Sequence, residues 1–270
     1  MKVIVSHDVD HLYPSDHWTD LIFPKLWVRS FFELLKRQIS LKTFGYRLIY
    51  VLDKRMNRIP EMCDYDIAHG VKATYFFGMA SALGMNYEKE KAIPWIQYVR
   101  EHGFDAGVHG CNYQDLDKIQ EEHDAFCRLS GMREFGIRNH YVRYDDTTFM
   151  KMNSANYLFD TTEFNKQHPE YKEPYKIGEM WEFPLAIMDG YVLHHDMDKA
   201  KQQVSSFVHD SIITGGKYLT FLFHDTFYNS KCYPLEKAFY EWLIEYLQEQ
   251  GLEFVSYRDV IKELENGGEY

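Results

Sequence analysis

The chain opens on the stretch Val3-Ile4-Val5-Ser6-His7-Asp8-Val9-Asp10-His11, which decides how the remaining sequence is interpreted. Its β-branched apolar residues predict a buried strand that ends in two carboxylates and two imidazoles. Because side chains alternate between the faces of a strand, Asp8 and Asp10 share one face, and His7 is expected to pack behind the sheet. The strand end is a candidate active site, although a strand that merely runs into a polar turn carries the same residue types.

The composition limits the classes of protein to which the chain can belong. Its 270 residues, 45% of them apolar, suffice for one packed domain. The formal net charge of −11 argues against nonspecific binding to nucleic acid or to anionic membranes, because both require a basic surface. No apolar run reaches the ~20 residues of a membrane helix, and Met1-Lys2 leads into a strand rather than a signal sequence, so we expect a cytoplasmic protein.

Strands and helices are predicted to alternate along the chain. The predicted strands after the first lie at 73–77, 104–108, 135–137, 158–162, 181–185, 218–223 and 252–257. The predicted helices lie at 59–69, 92–102, 115–129, 147–157, 198–213 and 234–250. Two further helical patterns, at 25–37 and 41–54, indicate a helical insertion at about residues 12–58. Alternation of this kind predicts an α/β fold with parallel pairing, in a single domain over residues 1–270.

Polar residues follow four of these predicted strands. In parallel α/β folds, functional groups gather at the carboxyl ends of the strands. The residues in question are Asp8, Asp10, His109, His140 and His224. Such a set suits a divalent metal with one open position and a free carboxylate that acts as a base. With a separate imidazole to protonate the leaving group, it predicts metal-assisted hydrolysis of an amide or ester.

Several short segments, in the right order, resemble the motifs of the polysaccharide deacetylases of carbohydrate esterase family 4. Ser6–Asp10 resembles an Asp-x-Asp variant of the first motif. The other segments are Val71–Phe77, Gly107–Tyr113, Ile137–His140, Phe159–Thr162, Glu182–Leu185 and Leu222–His224. The resemblance covers about residues 1–10 and 60–260, and it implies a distorted parallel (β/α) barrel.

This resemblance also implies roles for individual residues. It makes Asp8 the general base and His224 the catalytic acid, and it gives Arg138 the role of orienting the base. Asp10 and His109 become ligands of a divalent metal. Zinc is the expected metal, with cobalt or nickel as alternatives.

One position departs from the family pattern. Tyr113 stands where the family usually has a second histidine ligand, and a neutral phenol is a poor ligand beside imidazole. His140 is the first candidate for the missing ligand, because it also ends a predicted strand, and His11 is the second. A weak or empty metal site is the alternative. Tyr113, Trp181 and Asp160 are expected to contact the substrate.

The resemblance, together with the expected cytoplasmic location, implies a metal-dependent hydrolase that removes an acyl (acetyl) group from an amino sugar in surface polysaccharide biosynthesis. The expected partner is a nucleotide- or lipid-linked glycan made in the cytoplasm, without nucleic acid and without membrane insertion. One alternative is a deformylase or other amidohydrolase, since the same barrel mouth could serve either. The other is a catalytically inactive carbohydrate-binding protein, which Tyr113 and the many aromatic residues would suit.

Overall fold

One mostly parallel sheet runs through residues 1–267, the part of the chain that this computed structural model describes. Its strands are β1 (Lys2–Val9), β2 (Thr74–Gly78), β3 (Asp105–Gly110), β4 (Gly136–Asn139), β5 (Phe159–Asp160), β6 (Tyr175–Ile177), β7 (Met180–Glu182), β8 (Ile187–Met188), β9 (Tyr218–Leu222) and β10 (Glu253–Phe254). The α-helices are α1 (Ile22–Leu35), α2 (Leu41–Ile49), α3 (Ile59–Ala68), α4 (Ile93–Glu101), α5 (Leu116–Ser130), α6 (Thr148–Ser154), α7 (Asp189–Val192), α8 (Met197–Ile213), α9 (Pro234–Glu249) and α10 (Tyr257–Asn266).

The strand order places the opening stretch near the middle of the sheet. The order is β6-β7-β5-β4-β3-β2-β1-β9-β8, and β10 also pairs with β1. Within residues 1–267 the pairs are parallel except for β6 with β7. The sheet curls into a half-barrel with helices packed around it, which confirms the predicted α/β fold and distorted parallel (β/α) barrel. The single domain over 1–270 stays a prediction, and residues 268–270 lie outside the described part.

The two faces of β1 have different surroundings. Val3 and Val5 pack into the large core between the sheet and its outer helices. Ile4 belongs to a second, mainly aromatic cluster inside the barrel. Its partners there include Phe76, Phe159, Phe183 and Tyr257. Since Asp8 and Asp10 lie on the same face as Ile4, the strand directs both carboxylates to the barrel interior.

His7 points to the opposite face and is fully buried there. Its Nδ1 lies 3.0 Å from the carbonyl oxygen of Phe223, and its Nε2 lies 3.1 Å from Oδ2 of Asp66 in α3. The hydroxyl of Tyr240 in α9 donates to the other oxygen of Asp66 at 2.6 Å. His7 therefore packs behind the sheet, as predicted, and joins β1 to two of the outer helices.

The predicted insertion forms a helical hairpin of α1 and α2 between β1 and α3. Ser40 begins α2 by accepting a hydrogen bond from the backbone of Thr43 at 3.0 Å. The two helices share a buried ion pair between Glu33 and Arg47. The Nε of Arg47 also donates to the carbonyl oxygen of Cys232 at 2.7 Å, which attaches the hairpin to the barrel.

None of the helices formed by residues 1–267 combines the length and apolar character needed to cross a bilayer.

Three predicted strands are at least two residues shorter than the sequence suggested. The segment 158–162 is a strand only at 159–160. The segment 181–185 is a strand only as far as Glu182, and Pro184, which has no N–H to donate to a neighbouring strand, lies between β7 and β8. The segment 252–257 is a strand only at 253–254, because Ser256 accepts a hydrogen bond from the backbone of Asp259 and begins α10. Local hydrogen-bonding chemistry therefore ended the last two of these strands early.

Gly136 in β4 offers a test of how tightly the strands are packed. A methyl group on Gly136 would overlap the ring of Phe159. We expect Gly136→Ala to lower the free energy of unfolding by about 1–3 kcal/mol, measured by urea denaturation. Gly45→Ala in α2 is the matched control, because the added methyl group would have no atom within 4 Å. Since glycine destabilises the interior of a helix relative to alanine, this change should stabilise the protein by about 0.5–1 kcal/mol. An unchanged stability for Gly136→Ala would contradict this packing.

Candidate active site

The carboxyl ends of the parallel strands bring the predicted polar residues together. Asp8 and Asp10 lie at the end of β1, and His109 lies near the end of β3. His140 directly follows β4, and His224 follows β9. The sheet order makes these strands near neighbours, so residues far apart in sequence meet at one rim.

Asp10, His109 and His140 form a compact cluster. Their potential ligand atoms all lie within 4.8 Å of one another. Oδ1 of Asp10 lies 3.2 Å from Nε2 of His109 and 3.4 Å from Nδ1 of His140. The two ring nitrogens are 3.1 Å apart. The structure thus brings together the three residues predicted as ligands, Asp10, His109 and His140.

Backbone carbonyl groups orient both imidazoles. Nδ1 of His109 donates to the carbonyl oxygen of Arg138 at 2.9 Å, and Nε2 of His140 donates to that of Leu83 at 2.9 Å. In the neutral rings, the nitrogens that face Asp10 then carry lone pairs. A histidine that binds a metal through one ring nitrogen typically donates the N–H of its other ring nitrogen to a partner of this kind.

The cluster fits a divalent metal on its donor chemistry. Oδ1 of Asp10 is buried and has no hydrogen-bond partner among the described residues. Three electron-pair donors facing one another repel unless a cation or a proton lies between them. Two imidazoles and one carboxylate suit zinc, with a further position left open for a substrate or water.

Protons compete with a metal at this cluster. Although burial alone raises the pKa of Asp10, the imidazoles of His109 and His140 hold it well below its usual range. Burial disfavours the charged form of His140, yet the carboxylate of Asp10 raises the pKa of His140 above its usual value. Metal binding at this site should therefore weaken as the pH falls, because the ligand nitrogen takes up a proton.

Arg138 orients the predicted base, Asp8. Its Nη1 donates to Oδ1 of Asp8 at 2.9 Å, and its Nη2 donates to Oγ of Ser6 at 2.7 Å. The guanidinium lies 4.7 Å from the ring centre of Phe76 and is fully buried. Oδ2 of Asp8 remains beside the cluster, 3.7 Å from Nε2 of His109. The carboxylate is thus held on one side and left available on the other.

His224 is paired with an aspartate that the sequence analysis missed. Asp189 accepts hydrogen bonds from the backbone N–H of His224 at 2.8 Å and from its Nδ1 at 2.9 Å. Burial opposes the charged ring, but Asp189 raises the pKa of His224 to about 10. Nε2 lies 3.8 Å from Oδ2 of Asp10, so it faces the cluster. Asp189 directly follows β8, a two-residue strand that the sequence pattern did not predict, so no strand-end signal marked this aspartate.

His11 lies outside the cluster, which corrects its candidacy as the third ligand. Its Nδ1 contacts Nε2 of His17 at 3.0 Å, and Nδ1 of His17 contacts Oδ2 of Asp20 at 2.7 Å. Burial lowers the pKa of His11 to about 4, so the ring is neutral near pH 7. The contact with His17 holds His11 against the insertion, away from the other two imidazoles.

A cavity of about 330 Å³ opens beside the cluster. Asp8, Asp10, His11 and His224 line it, together with residues of α1. Tyr113 lies elsewhere and lines a larger cleft of about 550 Å³ with residues such as Arg143, Tyr144 and Lys166. A substrate contact at Tyr113 therefore depends on a substrate that extends beyond the smaller cavity.

The other two predicted substrate contacts lie away from both cavities. Asp160 is fully buried, and its Oδ1 accepts a hydrogen bond from Thr162 at 2.5 Å. Burial raises the pKa of Asp160 and of the neighbouring Glu182. Trp181 packs against the aromatic cluster inside the barrel, with Lys176 at 5.3 Å from its ring centre. Neither Asp160 nor Trp181 lines either cavity, so a substrate contact at each of these residues stays a prediction.

Comparison with solved structures places the fold among polysaccharide deacetylases. A protein from Mycobacterium smegmatis assigned as a polysaccharide deacetylase has 16% identity and a TM-score of 0.61, over 97% of this chain and 88% of that one. The PuuE allantoinase has 12% identity and a TM-score of 0.61, over 100% and 91%. A CE4 family pseudoenzyme from Bacillus anthracis has 9% identity and a TM-score of 0.50, over 96% and 64%. No family model matches the chain, and no curated protein matches its sequence.

The cluster predicts a metal site whose third ligand is His140 and not His11. We expect zinc to bind with one ion per chain, measured by isothermal titration calorimetry. His140→Ala should weaken binding at least about 100-fold, since loss of an outer partner alone costs 10–100-fold. His11→Ala is the matched control and should retain the affinity of the parent protein. The assignment would be reversed if His11→Ala lost zinc while His140→Ala kept it.

Proposed function

We propose that the protein is a metal-dependent hydrolase that removes an acetyl group from an amino sugar in surface polysaccharide biosynthesis. The observation that carries this proposal is the convergence of three groups at one cavity. They are the Asp10 cluster with its two imidazoles, the Asp8 carboxylate held by Arg138, and the His224 ring held by Asp189. A base, an acid and a metal site together are the groups that metal-assisted amide hydrolysis uses.

Asp8 acts as the general base in this proposal. A divalent metal bound at the cluster would polarise the acyl carbonyl and lower the pKa of a water molecule. Oδ1 of Asp8 is committed to Arg138, whereas Oδ2 faces the cluster and lines the cavity. Asp8 therefore takes the proton from the attacking water while Arg138 keeps the carboxylate in place.

His224 acts as the general acid. Asp189 raises its pKa to about 10, so the ring carries its proton near neutral pH. Nδ1 is occupied by Asp189, and Nε2 faces the cavity and the cluster. Nε2 can thus donate its proton to the nitrogen of the departing amine, which is the leaving group when an amide is cleaved.

The substrate class is proposed from the fold and from the cavity. The fold is shared with a protein assigned as a polysaccharide deacetylase, and this favours an N-acetylated sugar. The cavity of about 330 Å³ lies at the small end of ordinary ligand pockets, roughly 300–1,000 Å³. A nucleotide- or lipid-linked glycan precursor in the cytoplasm is the proposed substrate, with only the acetylated sugar entering the cavity.

A second candidate function is amide hydrolysis of another kind, as in a deformylase or other amidohydrolase. The fold similarity to an allantoinase favours it, because that TM-score of 0.61 equals the one for the deacetylase. A screen of N-acetyl and N-formyl amino sugars separates the two, with acetate and formate as the measured products. Release of acetate alone supports the first proposal, and release of formate alone supports the second.

The acid and base assignments predict the behaviour of two variants. Asp8→Asn and His224→Ala should each lower kcat at least about 100-fold, since a general acid or base contributes roughly 10²–10⁴-fold. Acetate release is the measurement, and circular dichroism checks the fold. His209→Ala, on the exposed side of α8, is the control and should keep full activity. Retained activity in Asp8→Asn would remove that residue from its role.

The pair of His224 and Asp189 predicts a pH effect. The pKa of about 10 keeps the acid protonated until the pH rises through that value, so activity falls on the alkaline side. Asp189→Asn removes the charge that raises the pKa and leaves burial, which lowers it, so the alkaline limb of the kcat profile should move to lower pH. Asp210→Asn, on the surface of α8, should leave the profile unchanged. An unshifted limb in Asp189→Asn would separate His224 from the proton transfer.

A further inference from the structure

The helical hairpin of α1 and α2 exposes large apolar side chains on both of its helices. In α1, the spacing of Val28, Phe31, Phe32 and Leu35 places all four on one face of the helix, and they are between 50% and 63% exposed. Five further large apolar residues of the hairpin are exposed. Leu21 precedes α1, Leu41, Leu48 and Ile49 lie in α2, and Leu52 follows α2. We call these nine residues the hairpin stripe. The segment 18–52 holds half of the exposed large hydrophobic side chains in residues 1–267.

The hairpin carries large apolar side chains on its outward side as well as on its inward side. Inward, Phe23 and Tyr50 pack in a hydrophobic cluster, beside the buried ion pair of Glu33 and Arg47. An ordinary surface helix buries its apolar face and exposes its polar one. Large exposed apolar patches mark interaction sites, because leaving them in water forgoes the free energy of burial. The hairpin stripe therefore requires a partner that covers it.

Charge decides what kind of partner fits. Between Lys25 and Arg58 the chain has nine basic residues and two acidic ones, although its net charge is −11. Several of the basic residues have no acidic group within 4.0 Å among the described residues. They are Lys25, Lys36, Arg37, Lys42 and Lys54. The net charge of the whole chain, which argued against anionic membranes, therefore does not describe this face.

We propose that the hairpin stripe docks the protein onto the surface of an anionic phospholipid bilayer, with no helix crossing it. A basic helix with Phe and Leu on its apolar face is the composition that lies in the plane of such an interface. The five unpaired basic residues would contact the lipid phosphates. A second copy of the chain fits less well, because a symmetric contact would bring the same basic residues together.

The same helix reaches the catalytic cavity. Ile22, Lys25 and Leu26 of α1 line the cavity that contains Asp8 and His224. Docking through α1 would therefore bring the cavity near the bilayer surface, where the sugar of a lipid-linked glycan is located. This consequence rests on the proposed function, whereas the docking itself does not.

The test is flotation of the full-length protein with two kinds of vesicle. One kind is phosphatidylcholine alone, and the other is a mixture of phosphatidylcholine and phosphatidylglycerol. We expect binding to the mixed vesicles, weaker binding to the neutral ones, and loss of binding at high salt, since salt screens charges at a surface. Absence of binding to the mixed vesicles would overturn the proposal. Because no turnover is measured, this result is independent of whether the protein is a deacetylase.

Paired variants separate the apolar and the charge contributions. Phe31→Ser with Leu35→Ser should weaken vesicle binding at least about tenfold, because two apolar side chains lose burial. Lys36→Glu with Lys42→Glu should weaken it similarly and remove the salt dependence. The matched controls change exposed residues of other helices. They are Ile213→Ser, with an exposed fraction of 69%, and Lys199→Glu with Lys262→Glu.

Analytical ultracentrifugation of the same variants tests whether a second copy of the chain covers the hairpin stripe. A dimer that dissociates in the Phe31→Ser, Leu35→Ser variant would mean that a second copy covers the stripe, and the proposal would be wrong. Equal vesicle binding by parent, stripe variant and controls would also overturn it, because the stripe would then not be the contact. A monomer that binds mixed vesicles only with an intact stripe supports the proposal.

Discussion

The buried guanidinium of Arg138 is the interaction on which the rest of the site depends. A charge inside a barrel is costly unless it is paired and hydrogen-bonded, and Arg138 meets both conditions through Asp8 and Ser6 on β1. It also donates to the carbonyl of Thr161 at 3.1 Å, beyond β5. The backbone carbonyl of Arg138 accepts the hydrogen bond that orients His109. Arg138 therefore holds the carboxylate of Asp8, the proposed base, and orients one imidazole of the cluster.

Single hydrogen-bond acceptors orient the three histidine rings of the site. Backbone carbonyls orient His109 and His140, and a carboxylate orients His224, so each ring presents one defined nitrogen to Asp10. The hairpin then bounds that cavity with α1 while it turns an apolar and basic surface outwards. The proposed membrane contact and part of the cavity wall thus belong to one structural element, α1, which places the cavity beside the surface to which the protein would bind.

Most of the fold could be predicted from the sequence, because apolar periodicity, and the glycines and prolines that end helices and strands, are local signals. It predicted the parallel alternation, the helical insertion, and the burial of His7 opposite Asp8. It also identified Asp10, His109 and His140 as a set, since the carboxyl ends of parallel strands meet. Its errors in strand length lay at Pro184 and Ser256, where local hydrogen-bonding chemistry ends a strand that the apolar pattern would continue.

Tertiary structure alone decided how the residues are used. Asp189 became the partner of His224 only because β8 and β9 are neighbours, and His11 left the ligand set because His17 and Asp20 hold its ring. The full burial of the Asp160 side chain could not be derived from its position near a strand end. The sequence by itself therefore determined which residue types reach the barrel mouth, through the period of two along a strand. Distance, burial and hydrogen-bond orientation were decided by contacts between segments far apart in the chain, which no local pattern encodes.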